Sequence, residues 1–181
     1  MLAKRHIPNL LTIARAGAVP LALLLMLFGT PNLALFWIFL LASLTDFFDG
    51  YLARKWNVTS PFGAMLDPVA DKLLVALMLL YLLGEYSLPL FPVALILLRE
   101  IYISALREFL SARGIALPVS KGGKWKTALQ MLAITALLCS LAYDIPTAWH
   151  IGAIALWIAA VLACTSAAQY TRAAWKHIVG E

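Results

Sequence analysis

Four aspartates within one short window are the residues of this chain best suited to chemistry. They are Asp46, Asp49, Asp67 and Asp71, and they make up four of the nine acidic residues in the whole sequence. A charged side chain at the centre of a membrane helix costs about 2.5–3.5 kcal/mol on insertion scales. The chain is 63% hydrophobic. Four carboxylates close together in it therefore indicate that something positively charged binds them.

The spacing of these aspartates predicts two facing pairs. Asp46 and Asp49 share one face near the end of the second apolar segment, and Asp67 and Asp71 are one turn apart on the third. Because the connection between the two segments is short, both pairs can lie at a similar depth. Four carboxylates at one level favour a hard cation (Mg²⁺, Mn²⁺ or Ca²⁺), and two ions could be accommodated.

The residues between the aspartates predict a phosphate-bearing ligand. Small residues leave a surface that a ligand or a helix can approach, and arginine offers a two-pronged fork for phosphate. The small residues are Gly50, Ala53 and Gly63, and the arginine is Arg54.

The elements that must position these groups are apolar helices. The chain is 63% hydrophobic and 13% charged, with a mean hydropathy of +0.88, which is typical of an all-α membrane protein with several spans. Apolar runs and turn signals predict one domain over 1–181 with six transmembrane helices, at 8–28, 32–55, 62–83, 89–112, 124–142 and 146–175.

The third helix has two possible starts. Ser60 and Pro61 could begin it, in which case Pro68 lies inside and kinks it, or Asp67 could cap a helix that begins at Pro68.

Charge placement predicts the orientation of the six helices. All 14 lysines and arginines lie on the side that holds both termini, in the connecting segments or the adjoining helix ends, whereas the opposite loops carry only Glu85 and Asp144. The positive-inside rule makes the basic side, and both termini, cytoplasmic. The net charge of +5 suits anionic lipid headgroups and phosphorylated substrates. Nucleic acid is disfavoured as a partner because the basic residues are spread over several short segments.

Two further blocks carry basic residues that could bind an anion. Arg99 and Arg107 share one face of the fourth helix, which predicts an anion site facing the bundle, or alternatively an ion-pair network with Glu100 and its neighbours. Lys124 and Lys126 lie at the start of the fifth helix, followed by Gln130. They could hold a phosphate or could be ordinary flanking charge.

The first helix adds two polar candidates. Asn9 could contact a nucleotide or cap the helix. Arg15 could pair with the aspartates on the side away from a bound ligand. Cys139 and Cys164 lie in apolar runs, without the spacing of a zinc or redox site.

The aspartate window resembles a known signature at all eight fixed positions. The pattern D-x2-D-G-x2-A-R-x8-G-x3-D-x3-D is similar to that of the CDP-alcohol phosphotransferases, integral membrane enzymes of phospholipid synthesis. The resemblance implies a six-helix homodimer that depends on a divalent metal, commonly Mg²⁺. It also implies that Asp46, Asp49 and Asp67 are metal ligands and that Asp71 is both ligand and general base. The CDP-binding set would be Asp46, Asp49, Gly50, Ala53, Arg54 and Gly63, with Asn9 as a further candidate.

The remaining blocks resemble one bacterial branch of that family. That branch transfers a phosphatidyl group from CDP-diacylglycerol to sn-glycerol 3-phosphate in the inner membrane, with the active site facing the cytoplasm. Candidates for the acceptor phosphate are Arg99, Arg107, Lys124 and Lys126. Two other acceptors stay open, phosphatidylglycerol as in a cardiolipin synthase and inositol phosphate. A divalent-cation transporter is disfavoured because the acidic residues cluster at one level instead of lining a path.

Overall fold

Six α-helices make up the described part of the protein. The computed structural model describes the backbone of residues 2–29, 31–56, 61–115 and 121–179, and the side chains of residues 12–29, 31–46, 66, 68–115 and 125–175. The helices are α1 (Leu2–Leu27), α2 (Asn32–Trp56), α3 (Pro61–Tyr86), α4 (Leu90–Ser111), α5 (Lys121–Tyr143) and α6 (Pro146–Val179). No strand occurs in these ranges, so the all-α prediction is confirmed.

Each predicted helix is present, and most ends agree within three residues. The two larger differences are the start of α1, at Leu2 instead of residue 8, and the end of α6, at Val179 instead of residue 175. In both places the helix continues past the apolar run into basic, polar sequence. Lysine and arginine are good helix formers, so the polar residues extend the helix beyond the stretch that hydropathy marks.

The structure decides two alternatives about helix starts that the sequence left open. Asn9 lies inside α1, so it does not cap that helix. Pro68 lies inside α3, which begins at Pro61, so Asp67 does not cap a helix starting at Pro68. An interior proline loses one backbone hydrogen bond, and the packing of the surrounding helices outweighs that loss here.

Left-handed residues and prolines end the helices and begin the next ones. Gly29 has φ +65° and precedes Pro31, and Asp144 has φ +54° and precedes Pro146. After α5 the amide of Ile145 donates to the carbonyl of Ser140 at 3.1 Å, which closes the helix end in the manner of a Schellman motif. These short reversals place successive helices antiparallel.

Contacts near the chain reversals identify one end of the bundle. Asn32 at the start of α2 donates to the Tyr86 hydroxyl at the end of α3 at 2.7 Å, and the Tyr81 hydroxyl donates to Asn32 at 2.9 Å. Phe36 meets Tyr143 at the end of α5 edge-to-face, with ring centroids 5.5 Å apart. This end has no basic residues. The aspartates and most of the cations therefore lie in the opposite half.

The helices do not pack equally closely. α5 and α6 share the most extensive interface, α1 packs on α2 and α3, α2 on α5, and α4 on α6. Contacts of α3 with α4 and α5 are sparse by comparison. The main core fills the apolar half, and its largest side chains include Leu35, Phe39, Met78, Ile134 and Leu137.

Large apolar side chains also cover the outside of the bundle. Leu27, Leu98, Ile101, Leu132 and Ile151 are each more than 60% exposed. Every helix contributes large apolar side chains that are at least 40% exposed. A surface of this kind is unfavourable in water and suits contact with lipid.

By length and composition, two helical stretches among the described residues could cross a membrane, Trp125–Tyr143 and Pro146–Trp175. Thr12–Leu27 and Asn32–Asp46 are shorter apolar stretches. The charges of α3 and α4 lower the apolar character of those helices. The six-span topology therefore stays a prediction.

The α5–α6 interface generates a prediction about stability. A Cβ at Gly152 would lie 2.7 Å from Leu137 Cγ and 2.9 Å from the carbonyl oxygen of Ala133, whereas a Cβ at Gly84 would meet nothing within 4 Å. We expect Gly152→Ala to destabilise the bundle by about 1–3 kcal/mol through overpacking. Thermal unfolding of the purified protein in detergent measures this effect.

Gly84→Ala is the matched control. It makes the same chemical change in an open position of α3, so it should leave the unfolding temperature unchanged or raise it slightly. Equal behaviour of the two variants would contradict the close approach of α5 and α6.

Candidate active site

Two of the four aspartates meet at a single arginine. The Nη1 atom of Arg15 on α1 lies 2.9 Å from Asp46 Oδ1 on α2 and 3.3 Å from Asp71 Oδ1 on α3. The two oxygens can be no farther apart than the sum of these distances, 6.2 Å. The predicted meeting of α2 and α3 carboxylates at one depth is therefore confirmed for this pair, and so is the predicted contact of Arg15.

The arginine lies beneath the carboxylates. Its side chain is 1% exposed, whereas those of Asp46 and Asp71 are 40% and 27% exposed. Each carboxylate thus has one side toward the buried guanidinium and another open to a ligand. The arrangement holds both acids in place and still lets a second cation reach them.

A small cavity adjoins Arg15 between α1 and α2. It has a volume of about 150 Å³ and is lined by Arg15, three alanines, Thr45 and two larger apolar residues. The alanines are Ala14, Ala18 and Ala42, and the apolar residues are Ile38 and Leu41. Small side chains facing each other keep this space unfilled. The cavity therefore borders the arginine that holds the acidic pair.

For the other residues predicted to bind metal or CDP, the structure describes the backbone only. Asp49, Gly50, Ala53 and Arg54 lie on α2, Gly63 and Asp67 on α3, and Asn9 on α1. Their side chains lie outside the described residues. Where side chains are described, no group of three or more His, Cys, Asp or Glu residues could hold a metal ion. The four-aspartate metal site stays a prediction.

A second polar cluster joins α4, α5 and α6. Glu100 Oε1 accepts from Arg99 Nη1 at 2.9 Å and also pairs with Lys126 Nζ. Arg99 Nη2 donates to Ser166 Oγ at 3.1 Å. Both cations are buried, with side-chain exposures of 9% and 3%. The sequence offered an anion site or an ion-pair network here, and the structure shows that the two predicted cations share one carboxylate.

This cluster also contains unsatisfied polar atoms. Within the described part of the chain, Arg99 Nε and Gln130 Oε1 are buried without a hydrogen-bond partner. A buried polar atom left without a partner is unfavourable by about 1–3 kcal/mol. Gln130 lies one turn beyond Lys126 on α5, and it is 4% exposed. The cluster therefore has capacity to bind a further polar group.

The other two residues that were predicted to bind the acceptor phosphate lie in different positions. Arg107 lies two turns after Arg99, is exposed, and donates to the Tyr170 hydroxyl at 3.4 Å. Its guanidinium also lies 5.5 Å from the centre of the Tyr170 ring. Lys124 is the fourth residue of α5, and its side chain lies outside the described residues. The described side chains thus bring Arg99 and Lys126 together and leave Arg107 at the rim.

Sequence reasoning missed three residues of this region. Ser166 and Tyr170 lie on α6, whose sequence looked generic, and they contact the arginines of α4. Lys72 directly follows Asp71, and its ammonium group donates to Ser104 Oγ at 2.6 Å. One signal was available: Lys72 is the only basic residue between Lys55 and Arg99.

Comparison with known proteins now identifies the family. Residues 5–165 match the family described as CDP-alcohol phosphatidyltransferase. The chain belongs to this family. The matched region runs from α1 into α6, and it includes the acidic pair with Arg15 and the Arg99–Glu100–Lys126 group.

Similar proteins within the family carry one name. A protein of Rickettsia bellii is 44% identical over 95% of this chain and 97% of its own length, and one of Pectobacterium atrosepticum is 45% identical over 93% and 94%. A third, of Pseudomonas fluorescens, is 42% identical over 96% and 92%. All three are named CDP-diacylglycerol–glycerol-3-phosphate 3-phosphatidyltransferase.

A solved structure shares the fold. The phosphatidylinositol phosphate synthase of Mycobacterium tuberculosis, in its apo form, aligns with a TM-score of 0.62 over 95% of this chain and 88% of its own. The sequence identity is 20%, so the likeness concerns the arrangement of helices alone.

The buried position of Arg15 generates a prediction. We expect Arg15→Gln to lower the free energy of unfolding by about 2–3 kcal/mol in metal-free buffer, because Asp46 and Asp71 would lose a shared positive partner. The partial exposure of both carboxylates keeps this value below that of a fully buried pair. Added Mg²⁺ should then raise the melting temperature of the variant more than that of the wild type, since a bound cation can replace the lost charge.

Arg113→Gln is the control, because Arg113 is exposed in the turn after α4 and its side chain, among the described residues, contacts Phe109. A melting temperature of Arg15→Gln equal to that of this control would contradict the role of Arg15.

Proposed function

We propose that this chain transfers the phosphatidyl group of CDP-diacylglycerol to sn-glycerol 3-phosphate, giving phosphatidylglycerophosphate and CMP. The observation that carries the proposal is the pairing of two polar clusters in one half of the bundle. One holds partly exposed carboxylates, and the other holds buried cations in excess over their carboxylate. The similar bacterial proteins, which bear the name of this activity, support the same conclusion.

The acidic cluster suits a divalent metal and the diphosphate of the donor. The proposed metal ligands are all carboxylates, the type of ligand that Mg²⁺ and Mn²⁺ prefer. Asp46 and Asp71 already bind one positive charge, that of Arg15. Asp46, Asp49, Asp67 and Asp71 would hold the metal, with two ions proposed. When bound, it would neutralise the negative charge of the diphosphate and stabilise the charge that develops during phosphoryl transfer.

The nucleotide would bind beside the acidic pair. Gly50, Ala53, Arg54 and Gly63 belong to the CDP pocket in this proposal, with Asn9 as a further contact. The apolar cavity between α1 and α2 opens next to Arg15, so the lipid part of the donor can remain in apolar surroundings while its phosphates reach Asp46 and Asp71.

The cationic cluster suits the phosphate of the acceptor. Among the described carboxylates, Glu100 is the one that pairs with both Arg99 and Lys126. The Nε–H group of Arg99 has no hydrogen-bond partner. A phosphate would supply the missing acceptor and balance the charge. Lys124 and Arg107 would contribute from the same half of the bundle.

The transfer step needs one base. Asp71 would accept the proton of the acceptor hydroxyl, whose oxygen then forms a bond to the lipid-side phosphorus of the diphosphate. The bond from that phosphorus to the oxygen of CMP breaks, and CMP leaves with that oxygen. Arg15 holds Asp71 in position through its ion pair.

We also propose that all six helices cross the bacterial inner membrane, with both termini and the active site on the cytoplasmic side. The restriction of lysine and arginine to one side of the predicted topology and the apolar outer surface support this arrangement. A homodimer completes the proposal, as the family resemblance implies.

An acceptor assay tests the reaction. Purified protein should release CMP from CDP-diacylglycerol when glycerol 3-phosphate and Mg²⁺ are supplied together, and chelation of the metal should stop the release. The lipid product is identified by mass. Release of CMP with phosphatidylglycerol or inositol phosphate, and not with glycerol 3-phosphate, would contradict the proposed acceptor.

The role of Asp71 makes a separate prediction. Asp71→Asn removes the proton-accepting group with little change in shape, so kcat should fall by at least about a hundredfold. Binding of CDP-diacylglycerol, measured as protection against thermal unfolding, should remain detectable.

Asp144→Asn is the matched control, because it makes the same change in an exposed turn at the other end of the bundle. Asparagine tolerates the positive φ of that position, so this variant should keep full activity. Substantial turnover by Asp71→Asn would remove Asp71 from the role of base.

A further inference from the structure

Lys72 connects the two polar clusters. It follows Asp71 on α3, and its Nζ donates to Ser104 Oγ on α4 at 2.6 Å. The Ser104 hydroxyl in turn donates to the carbonyl oxygen of Glu100 at 2.5 Å. Through this hydrogen-bonded path the helix that carries Asp71 reaches the residue that joins Arg99 and Lys126.

The charges around Glu100 are not balanced. Arg99 and Lys126 both contact its carboxylate, whereas the hydrogen bond of Lys72 goes to a neutral hydroxyl. Among the described residues, two cations thus share one carboxylate and a third, Lys72, bonds to a hydroxyl beside them. Such an excess of positive charge favours a multiply charged anion.

The place of Lys72 relative to Asp71 limits the size of that anion. Consecutive Cα atoms are about 3.8 Å apart, and consecutive side chains of a helix project about 100° apart. Asp71 accordingly faces α1 and α2, and Lys72 faces α4. A small alcohol phosphate can reach both groups at once, with its hydroxyl at the carboxylate and its phosphate at the ammonium.

The fold leaves space for such a molecule. Among the described residues, α3 makes few contacts with α4 and α5. The side chain of Lys72 is exposed, and Glu100 and Ser104 are partly exposed. A polar acceptor can therefore reach these groups.

We infer that Lys72 is an acceptor-binding residue, which holds the phosphate of the phosphorylated alcohol together with Arg99 and Lys126 and so sets its hydroxyl at Asp71. This inference rests on the proposed function and deepens it. It also assigns specificity: an acceptor without a phosphate would leave the ammonium of Lys72 without its anion.

Steady-state kinetics of Lys72→Gln test the inference. We expect the KM for glycerol 3-phosphate to rise by about tenfold to a hundredfold, the loss typical of one charge-assisted hydrogen bond. The KM for CDP-diacylglycerol and the kcat at saturating acceptor should change by less than about threefold. Lys72→Arg keeps the charge and should recover most of the affinity. Arg113→Gln, which removes an exposed cation of the turn after α4, should behave as the wild type.

Ser104→Ala provides a second variant that keeps all three cations. Loss of the hydroxyl that positions Lys72 should raise the KM for glycerol 3-phosphate by a smaller factor, again with little change in kcat. If Lys72→Gln does not fold, as judged by size-exclusion chromatography, Ser104→Ala and Lys72→Arg decide the question by the same split between KM and kcat.

The possible outcomes separate this inference from the proposed function. A wild type that uses glycerol 3-phosphate, with an unchanged acceptor KM in Lys72→Gln and Ser104→Ala, would overturn the inference alone. An equal rise in the KM of both substrates would also overturn it, because Lys72 would then serve the donor or the lipid surface. A wild type that does not use glycerol 3-phosphate would overturn the proposed function itself.

Discussion

The placement of charge inside an apolar bundle is the constraint on which the rest of this structure depends. Asp46 and Asp71 would repel each other at a separation of 6.2 Å or less, and their partial burial reduces the screening of that repulsion by water. A single buried guanidinium, from Arg15, reduces that repulsion without covering the open side of either acid. The apolar helices can therefore bring the acids together, and the acids keep their capacity for a cation that arrives with a substrate.

The same principle applies to the second cluster with the signs exchanged. Glu100 lies between Arg99 and Lys126, and it neutralises one of the two charges. Each cluster thus keeps an excess of one sign, negative near α1 and positive near α4, and α3 contributes a residue to both. An enzyme that joins a phosphate-bearing donor to a phosphate-bearing acceptor needs this separation, because two anionic substrates must approach each other at the point of transfer.

Much of this arrangement could be predicted from the sequence because the relevant signals are local. Apolar runs and prolines located all six helices, and helical spacing brought Asp46 and Asp71 to one level. The start of α1 and the contacts of Ser166 could not be predicted, and the sequence left the interior position of Pro68 as one of two alternatives, since all three depend on packing between distant segments. Lys72 was missed for a related reason: its neighbour on α4 is 32 residues away in the chain, so no local pattern joins the two.

Unequal packing explains how a rigid bundle can also contain an accessible site. The interface of α5 and α6 is so close that Gly152 has no room for a methyl group, and it supports Lys126 and Ser166 from one rigid pair of helices. Among the described residues, α3 contacts α4 and α5 sparsely, and the side chain of Lys72 on its α4 side remains exposed. If the packing between α3 and α4 were as dense as that between α5 and α6, the acids and cations would have to neutralise each other completely. The sparse contact therefore lets each cluster retain charge for a ligand, at the expense of some packing energy.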